Sequence, residues 1–303
     1  MDGTVNRSRP SAALPRPRAE GRGHFPAKMI HYLPGPTQAR TMSTEELRAA
    51  FLVQGLFIPG EVVLRHVDLD RVVLGGAVPT SEDLTLEAPA SLGSAYFLER
   101  RELGVLNVGG AGRVTVDGEA YELAARDVLY VGRGHREVRF ESDAAARPAR
   151  FYLVSYPAHA DYPPTVVRAA DAEGAEIGSA ERANRRRVAR YVHVEGARSA
   201  QLVMGVTRLE TGSVWNTMPA HTHHRRTEVY LYFDLPADAV VLHLMGEPGE
   251  TRHLVVRDGE AILSPGWSVH SGCGTASYSF CWAMGGENQV YTDMQPVEIG
   301  DLR

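Results

Sequence analysis

Four residues pose the chemical question. His221 and His223 stand two apart in "AHTHHRRTEVYLYF", Glu228 follows five residues later, and His270 lies forty-two beyond the glutamate in "DGEAILSPGWSVH". On an extended strand residues i and i+2 face one side, so the two imidazoles share a face. In the run that follows, Glu228, Tyr230 and Tyr232 fall on one face, and Thr227, Val229, Leu231 and Phe233 on the other. A carboxylate beside imidazoles suits a borderline divalent ion such as Zn²⁺, Mn²⁺ or Fe²⁺. A lone strand histidine is ordinarily structural. The H-x-H pair, the glutamate and a histidine returning after a proline turn together point to one bound ion. His224 is expected to face solvent. Arg225 and Arg226 read either as partners of surface carboxylates or as binders of an anionic substrate, because guanidinium meets carboxylate bidentately.

Strands and tight turns have to assemble such a site. Gly259 and Pro265 lie six apart and His270 five further on, a glycine turn, a strand and a proline turn that return the histidine. Stretches such as "EVVLRHVDLDRVVLGG", "GVLNVGGAGRVTVDGEAYEL", "QLVMGVTRL", "VVLHLMG", "RHLVVRDG" and "SYSFCWAMGG" alternate or run β-branched between glycine turns. Helical spacing is confined to "TMSTEELRAAFLV", residues 41–53, with Ser43 or Thr44 as cap and Glu45 and Glu46 in the first turn. Many short strands with few helices predict an all-β protein of sandwiches or barrels.

The chain also resembles itself. Arg100, Arg101 and Glu102 precede "LGVLNV" much as Arg225, Arg226, Thr227 and Glu228 precede "VYLYF", and "ARDVLYVGRGHREVRF" follows as "DGEAILSPGWSVHSG" does. This predicts two β-barrel (jelly-roll) domains, residues 29–165 and 166–303, with the join inside the polar stretch 159–187. In that alignment Tyr96 and Leu98 take the places of His221 and His223, and Glu137 or His135 stands near that of His270. The first barrel is therefore expected to hold no such metal and to serve structure or assembly.

Composition narrows the function further. The 303 residues are 44% hydrophobic and 23% charged with a net charge of −5, enough for a sizeable core and nothing that calls for nucleic acid or an anionic membrane. Lys28 is the sole lysine beside 31 arginines, which argues against imine chemistry on the protein. Two cysteines, Cys273 and Cys281, make neither a disulfide framework nor a thiolate metal site, and reduced thiols are expected. The apolar runs are too short for a transmembrane helix. Residues 1–28, with six basic and two acidic residues and four prolines, read as a disordered extension without the apolar core of a secretory signal. Met29 is a second possible start.

Two segments, "WNTMPAHTHHRRTEVYLYFDL" and "GEPGETRHLVVRDGEAILSPGWSVHSGCGTASYSFCWAMGGENQVYTDM", resemble the 5-keto-4-deoxyuronate isomerase family, also called 4-deoxy-L-threo-5-hexosulose-uronate ketol-isomerase. "SAYFLERRELGVLNVGGAGRVTVDG" and "RDVLYVGRG" resemble its N-terminal half, and the similarity runs from about Met42 to Arg303. Gly212, His221, His223 and Glu228 also resemble the first cupin motif, with a longer stretch before the first histidine. Gly259, Pro265 and His270 resemble the second, with Trp267 where glycine is usual and no asparagine after the histidine.

The resemblance implies a bicupin fold and one Zn²⁺ per subunit on His221, His223, Glu228 and His270. It implies a cytoplasmic hexamer acting in pectin and uronate breakdown. There 4-deoxy-L-threo-5-hexosulose uronate, a small-molecule substrate, becomes 3-deoxy-D-glycero-2,5-hexodiulosonate. This aldose–ketose exchange moves a proton from C2 to C1, and a divalent ion can stabilise the enediolate as a Lewis acid without redox change. Arg225, Arg226 and Arg252 are the candidates to meet the substrate carboxylate. Glu247, Glu250, His253, Tyr230 and a water on the metal are the candidates to move the proton, which requires hydrogen-bond reach. The competing readings are a 5-deoxy-glucuronate isomerase, an iron-dependent cupin dioxygenase and a non-catalytic sugar-binding cupin.

Overall fold

The computed structural model describes residues 30–303. The expected disordered extension at 1–28 and the alternative start at Met29 lie outside the described residues. The helix expected near residue 44 forms over Thr44–Phe51. Ser43 accepts the Glu46 N–H through its hydroxyl, and the Glu46 carboxylate accepts the Ser43 N–H in return, a reciprocal cap for two otherwise orphaned donors. Leu47, Ala50 and Phe51 form its buried face. Among the described residues the only other α-helix is Pro36–Ala39, and no helix of these residues is long and apolar enough to cross a membrane.

The rest is strand, and the pairs between named strands are antiparallel. A first sandwich has a six-stranded sheet in the order Thr165–Val167, Val128–Val131, Arg101–Asn107, Phe151–Pro157, Val73–Ala77, Val62–His66. It faces a four-stranded sheet of Leu84–Thr85, Val138–Ser142, Gly112–Val116 and Glu119–Leu123. The second sandwich has a seven-stranded sheet: Leu52–Val53, Ala261–Ser264, Arg226–Phe233, Ser279–Gly286, Val203–Leu209, Arg186–Val192, Glu173–Ile177. Its four-stranded partner runs Trp215–Asn216, Ser271–Gly274, Val241–Glu247, Glu250–Val256. The two sandwiches thus repeat one strand order, as the internal resemblance of the sequence leads one to expect.

The polar stretch 159–187 is woven into both sheets. Thr165–Val167 pairs with Val128–Tyr130 of the first sandwich, whereas Glu173–Ile177 and the start of Arg186–Val192 form an edge of the second. At the far edge, Leu52 and Val53 pair with Ile262 and Ala261, so the N-terminal helix packs on the second sandwich.

The three large apolar clusters among the described residues follow from strand alternation. Leu103, Val105, Val114, Phe140 and Phe151 fill the first sandwich. Tyr230, Tyr232, Leu254, Ile262, Phe280 and Trp282 line the second, with Leu47 and Phe51 of the helix. The outward faces of the two large sheets form a third cluster: Leu106, Tyr130, Tyr152 and Val154 meet Met204, Val206, Val229, Leu231 and Phe233. Each buried side chain of this size contributes roughly 1.5–3 kcal/mol, so this shared layer binds the sandwiches into one body. Gly104 permits the approach, since a Cβ there would stand 2.8 Å from Met204 Sδ and 2.9 Å from a Leu202 methyl. Beside it the fully buried Glu102 carboxylate accepts the N–H groups of Ala200, Gln201 and Leu202 at 2.6–2.7 Å and the Tyr130 hydroxyl at 2.7 Å. Cys273 and Cys281 are unbridged.

Candidate metal centre

The Arg226–Phe233 strand turns Arg226, Glu228, Tyr230 and Tyr232 into the second sandwich and Thr227, Val229, Leu231 and Phe233 toward the first. Glu228 is only 4% exposed. His221 lies on the short His221–Thr222 strand, which pairs with Gln295–Pro296. His223 is held by its N–H on the Gly266 carbonyl at 3.1 Å. The turn after Ala261–Ser264 delivers His270, with Val269 N–H bonded to the Gly246 carbonyl at 2.9 Å.

The donor atoms of His221, His223, Glu228 and His270 all lie within 4.8 Å of one another. His270 Nε2 is 2.9 Å from His221 Nε2 and 3.1 Å from Glu228 Oε2, and His223 Nε2 is 3.3 Å from the same oxygen. A tetrahedral ion with ligands at 2.0–2.1 Å spaces its donors by about 3.3 Å. Three imidazoles and one carboxylate at these separations form a group that fits one divalent ion. The outer contacts agree. His223 Nδ1 donates to the Asp293 carbonyl at 3.1 Å, and because a carbonyl only accepts, Nε2 is left with its lone pair toward the cluster. His270 Nδ1 meets Ser264 Oγ at 3.2 Å. Burial pushes His221 down to about 4 and His270 well below the usual histidine range. Both are therefore neutral near pH 7, the form that ligates.

The flanking arginines strap the C-terminal segment over this cluster. Arg225, exposed, holds the Asp293 carboxylate with Nε at 2.8 Å. Arg226, 2% exposed, donates from Nη2 at 2.7 Å to the same Asp293 carbonyl that receives His223. His224 is exposed, with its N–H on Gln295 Oε1 at 2.7 Å.

The other sequence candidates are not brought to the cluster. Glu247 accepts Arg40 Nε at 2.9 Å, and Glu250 lies 3.6 Å from the same guanidinium. Arg252 donates to the carbonyls of Ala39, Arg40 and Met42, capping the N-terminal segment. His253 is exposed, on the opposite face of its strand from buried Leu254. Tyr230 alone of the proton-transfer candidates lines the cavity beside the cluster, its ring 5.5 Å from His270. Burial holds its hydroxyl well above the usual tyrosine range, so it stays protonated.

That cavity encloses about 230 Å³. His221, His223 and Glu228 stand in its wall with Val188, Phe280, Trp282 and Met284, and Thr217, Tyr291 and Met294 also border it. Trp282 has room because residue 205 is glycine; a Cβ there would stand 2.1 Å from the indole, whose Nε1–H is bonded to Thr207 Oγ1 at 3.2 Å. Thr217 sits at φ 50°, an uncommon region for a β-branched residue, with its hydroxyl on Asn216 Oδ1. One cation lines the cavity among the described residues, Arg186. Sequence reasoning missed it, because in a run of three arginines only strand parity tells which one points inward.

Comparison with known proteins agrees with the fold and extends it. The model of the KduI/IolB family matches residues 61–298. A 4-deoxy-L-threo-5-hexosulose-uronate ketol-isomerase of Kineococcus radiotolerans is 54% identical over 275 residues, covering 90% of this chain and 99% of that protein. One of the same name from Opitutus terrae is 52% identical over 276 residues, with the same coverage of 90% and 99%. Among solved structures, an IolB-like protein of Salmonella typhimurium superposes with a TM-score of 0.65 at 13% identity, over 82% of this chain and 96% of that one. The oxalate decarboxylase of Lactobacillus farciminis in its formate complex gives 0.55 at 11% identity, over 81% and 89%. At such identities the structural matches speak for the two-cupin fold alone. The sequence matches go further, and by them the chain belongs to the KduI/IolB family.

Proposed function

We propose that this chain is a 4-deoxy-L-threo-5-hexosulose-uronate ketol-isomerase that holds one Zn²⁺ on His221, His223, Glu228 and His270. The observation that carries the reading is the convergence of three imidazoles and one carboxylate in the wall of a cavity, in a chain about half identical to proteins of that name. When bound, the ion would supply Lewis acidity to the substrate's carbonyl and neighbouring hydroxyl, favouring the enediolate that an aldose–ketose exchange passes through.

The chain's own residues do the rest. Arg226 and the Asp293 carbonyl fix the orientation of His223. Val188, Phe280 and Trp282 line the cavity and keep water from the bound sugar. Tyr230, held protonated, donates a hydrogen bond to a sugar oxygen. Glu228 is the one carboxylate lining the cavity among the described residues. It turns Oε2 to the imidazoles, which leaves Oε1 to carry the proton between C2 and C1. The proposal extends to a cytoplasmic homo-oligomer, a hexamer, in pectin and uronate breakdown, with the first sandwich serving structure or assembly. The sequence resemblance supports that extension.

The test is metal analysis of the purified protein together with turnover of the deoxyuronate. One zinc per chain and conversion to the 2,5-diketo acid are expected. His221→Ala and Glu228→Ala should lower both while the β-sheet circular dichroism persists. Full activity in a metal-free variant would remove zinc from the proposal. Iron with oxygen uptake would overturn the isomerase reading.

A further inference from the structure

We propose that Arg186 anchors the substrate's carboxylate and is thereby the residue through which the cavity selects a sugar acid over a neutral sugar. The inference rests on the isomerase reading above. It begins with the disposition of the arginines that flank the metal motifs in sequence. Arg225 is occupied by Asp293, Arg226 faces the carbonyls of Tyr291 and Asp293, and Arg252 caps the carbonyls of residues 39, 40 and 42. None of the three lines the cavity, and Arg186 does.

Strand register explains why. Arg186, Val188 and Arg190 pair with Leu209, Thr207 and Gly205, and Thr207 and Gly205 pair in turn with Phe280 and Trp282. Directly opposed residues of antiparallel strands share a face, so the side chains at 186, 188 and 190 join those of Phe280, Trp282 and Tyr230 inside the sandwich. Arg190 is taken by the Glu173 carboxylate and by the Tyr291 ring, 5.8 Å from its guanidinium carbon. Arg186 has no carboxylate within 4.0 Å among the described residues. Its one hydrogen bond there runs from Nη1 to the Asn184 carbonyl at 2.7 Å, which fixes the head group and leaves its other N–H groups free.

A half-buried guanidinium without a counter-charge is costly unless a ligand supplies one. Burial pushes Arg186 below its usual value. Arg186 borders the same cavity as His221, His223 and Glu228, as the anchor of an acid that reacts at the end remote from its carboxylate must. The Arg186 strand lies three positions from the Glu228 strand in the sheet. The two strands between carry Thr207, Phe280 and Trp282, an apolar wall with one hydroxyl.

The experiment uses the full, metal-loaded chain with Arg186→Gln and Arg186→Lys. In the glutamine variant KM for the deoxyuronate should rise about ten- to a hundredfold, the range for losing a charge-assisted hydrogen bond. Metal content should be unchanged, kcat should fall less than KM rises, and lysine should restore part of the loss. Calorimetry supplies a readout independent of turnover: D-galacturonate should bind the wild type better than D-galactose, and Arg186→Gln should erase that preference. An unchanged KM, a retained preference in the variant, or equal binding of both sugars by the wild type would each overturn the anchor. Loss of metal from both variants would do so too, by making Arg186 a structural residue. Failure of the wild type to turn over the deoxyuronate, with the galacturonate preference present and lost in the variant, would sink the isomerase reading and leave the anchor standing.

Discussion

Where the central strand of the second sandwich has Glu228 as its third residue, the corresponding strand Arg101–Asn107 of the first has Leu103. The same alignment sets Leu98 against His223 and Tyr96 against His221. Leu98 and Leu103 are almost fully buried in a cluster of valine, leucine and phenylalanine that fills the first interior. In the second, the same strand order surrounds a cavity with a cluster of imidazoles at its wall and a polar pair deeper in, where the Tyr232 hydroxyl meets His243 Nδ1 at 2.7 Å. One scaffold therefore makes a filled core or an open site according to a few inward positions. The open version needs its polar groups to partner one another, because each buried polar group without a partner is penalised.

Exchange of the two contrasted residues tests this most severely. Glu228→Leu gives the second sandwich the residue of the first. Metal should be lost, and kcat/KM should fall by more than about a hundredfold, since outer contacts of a metal site alone reach that figure. The metal-free thermal midpoint should hold or rise, because an apolar residue replaces a buried charge. Retained metal in this variant would remove Glu228 from the ligand set. The reverse change, Leu103→Glu, puts a carboxylate among apolar neighbours with no imidazole to meet it. It should cost about 3–5 kcal/mol in urea unfolding and gain no metal.

Gly205→Ala probes the room made for the cavity wall. Crowding of the Trp282 indole should cost about 1–3 kcal/mol and raise KM by displacing the ring; an unaltered KM would show that the indole does not shape the sugar site. The last test concerns pH. Burial pushes His243 down to about 3, against about 6.5 in the unfolded chain. Between those values the unfolded state binds the proton and the folded state does not. This contribution is thus fully present above pH 6.5 and is lost as pH falls toward 3, by about 1.4 kcal/mol per pH unit. His243→Asn in metal-free protein should flatten the slope of stability against pH by that amount, and an unchanged slope would mean that His243 is not the group responsible.

Much of the site was legible because its signals are local. The alternation through Thr227–Phe233 assigns Glu228, Tyr230 and Tyr232 to one face, and the structure has them there. A cap at Ser43 or Thr44 with Glu45 and Glu46 in the first turn announced its helix, and the structure chooses Ser43. Glu173–Ile177 gave no such signal, because all five of its residues are exposed and no period of burial marks it as a strand. Nearness in sequence misled at Glu247, Glu250, Arg252 and His253. They lie between the two motifs in the chain, but on strands of the opposite four-stranded sheet, where the N-terminal segment or solvent takes them.

Residue type and a period of two determined by themselves that this chain is all-β, repeats its architecture and carries a metal-competent set of side chains. Those properties depend on covalent geometry over a few residues, which the order of amino acids specifies directly. Tertiary structure alone decided that Arg186 lines the cavity, that Arg225 and Arg226 serve as straps, and that the segment around Asp293 closes over His223. Each of these depends on the register between strands far apart in sequence, and register is settled by the packing of whole faces.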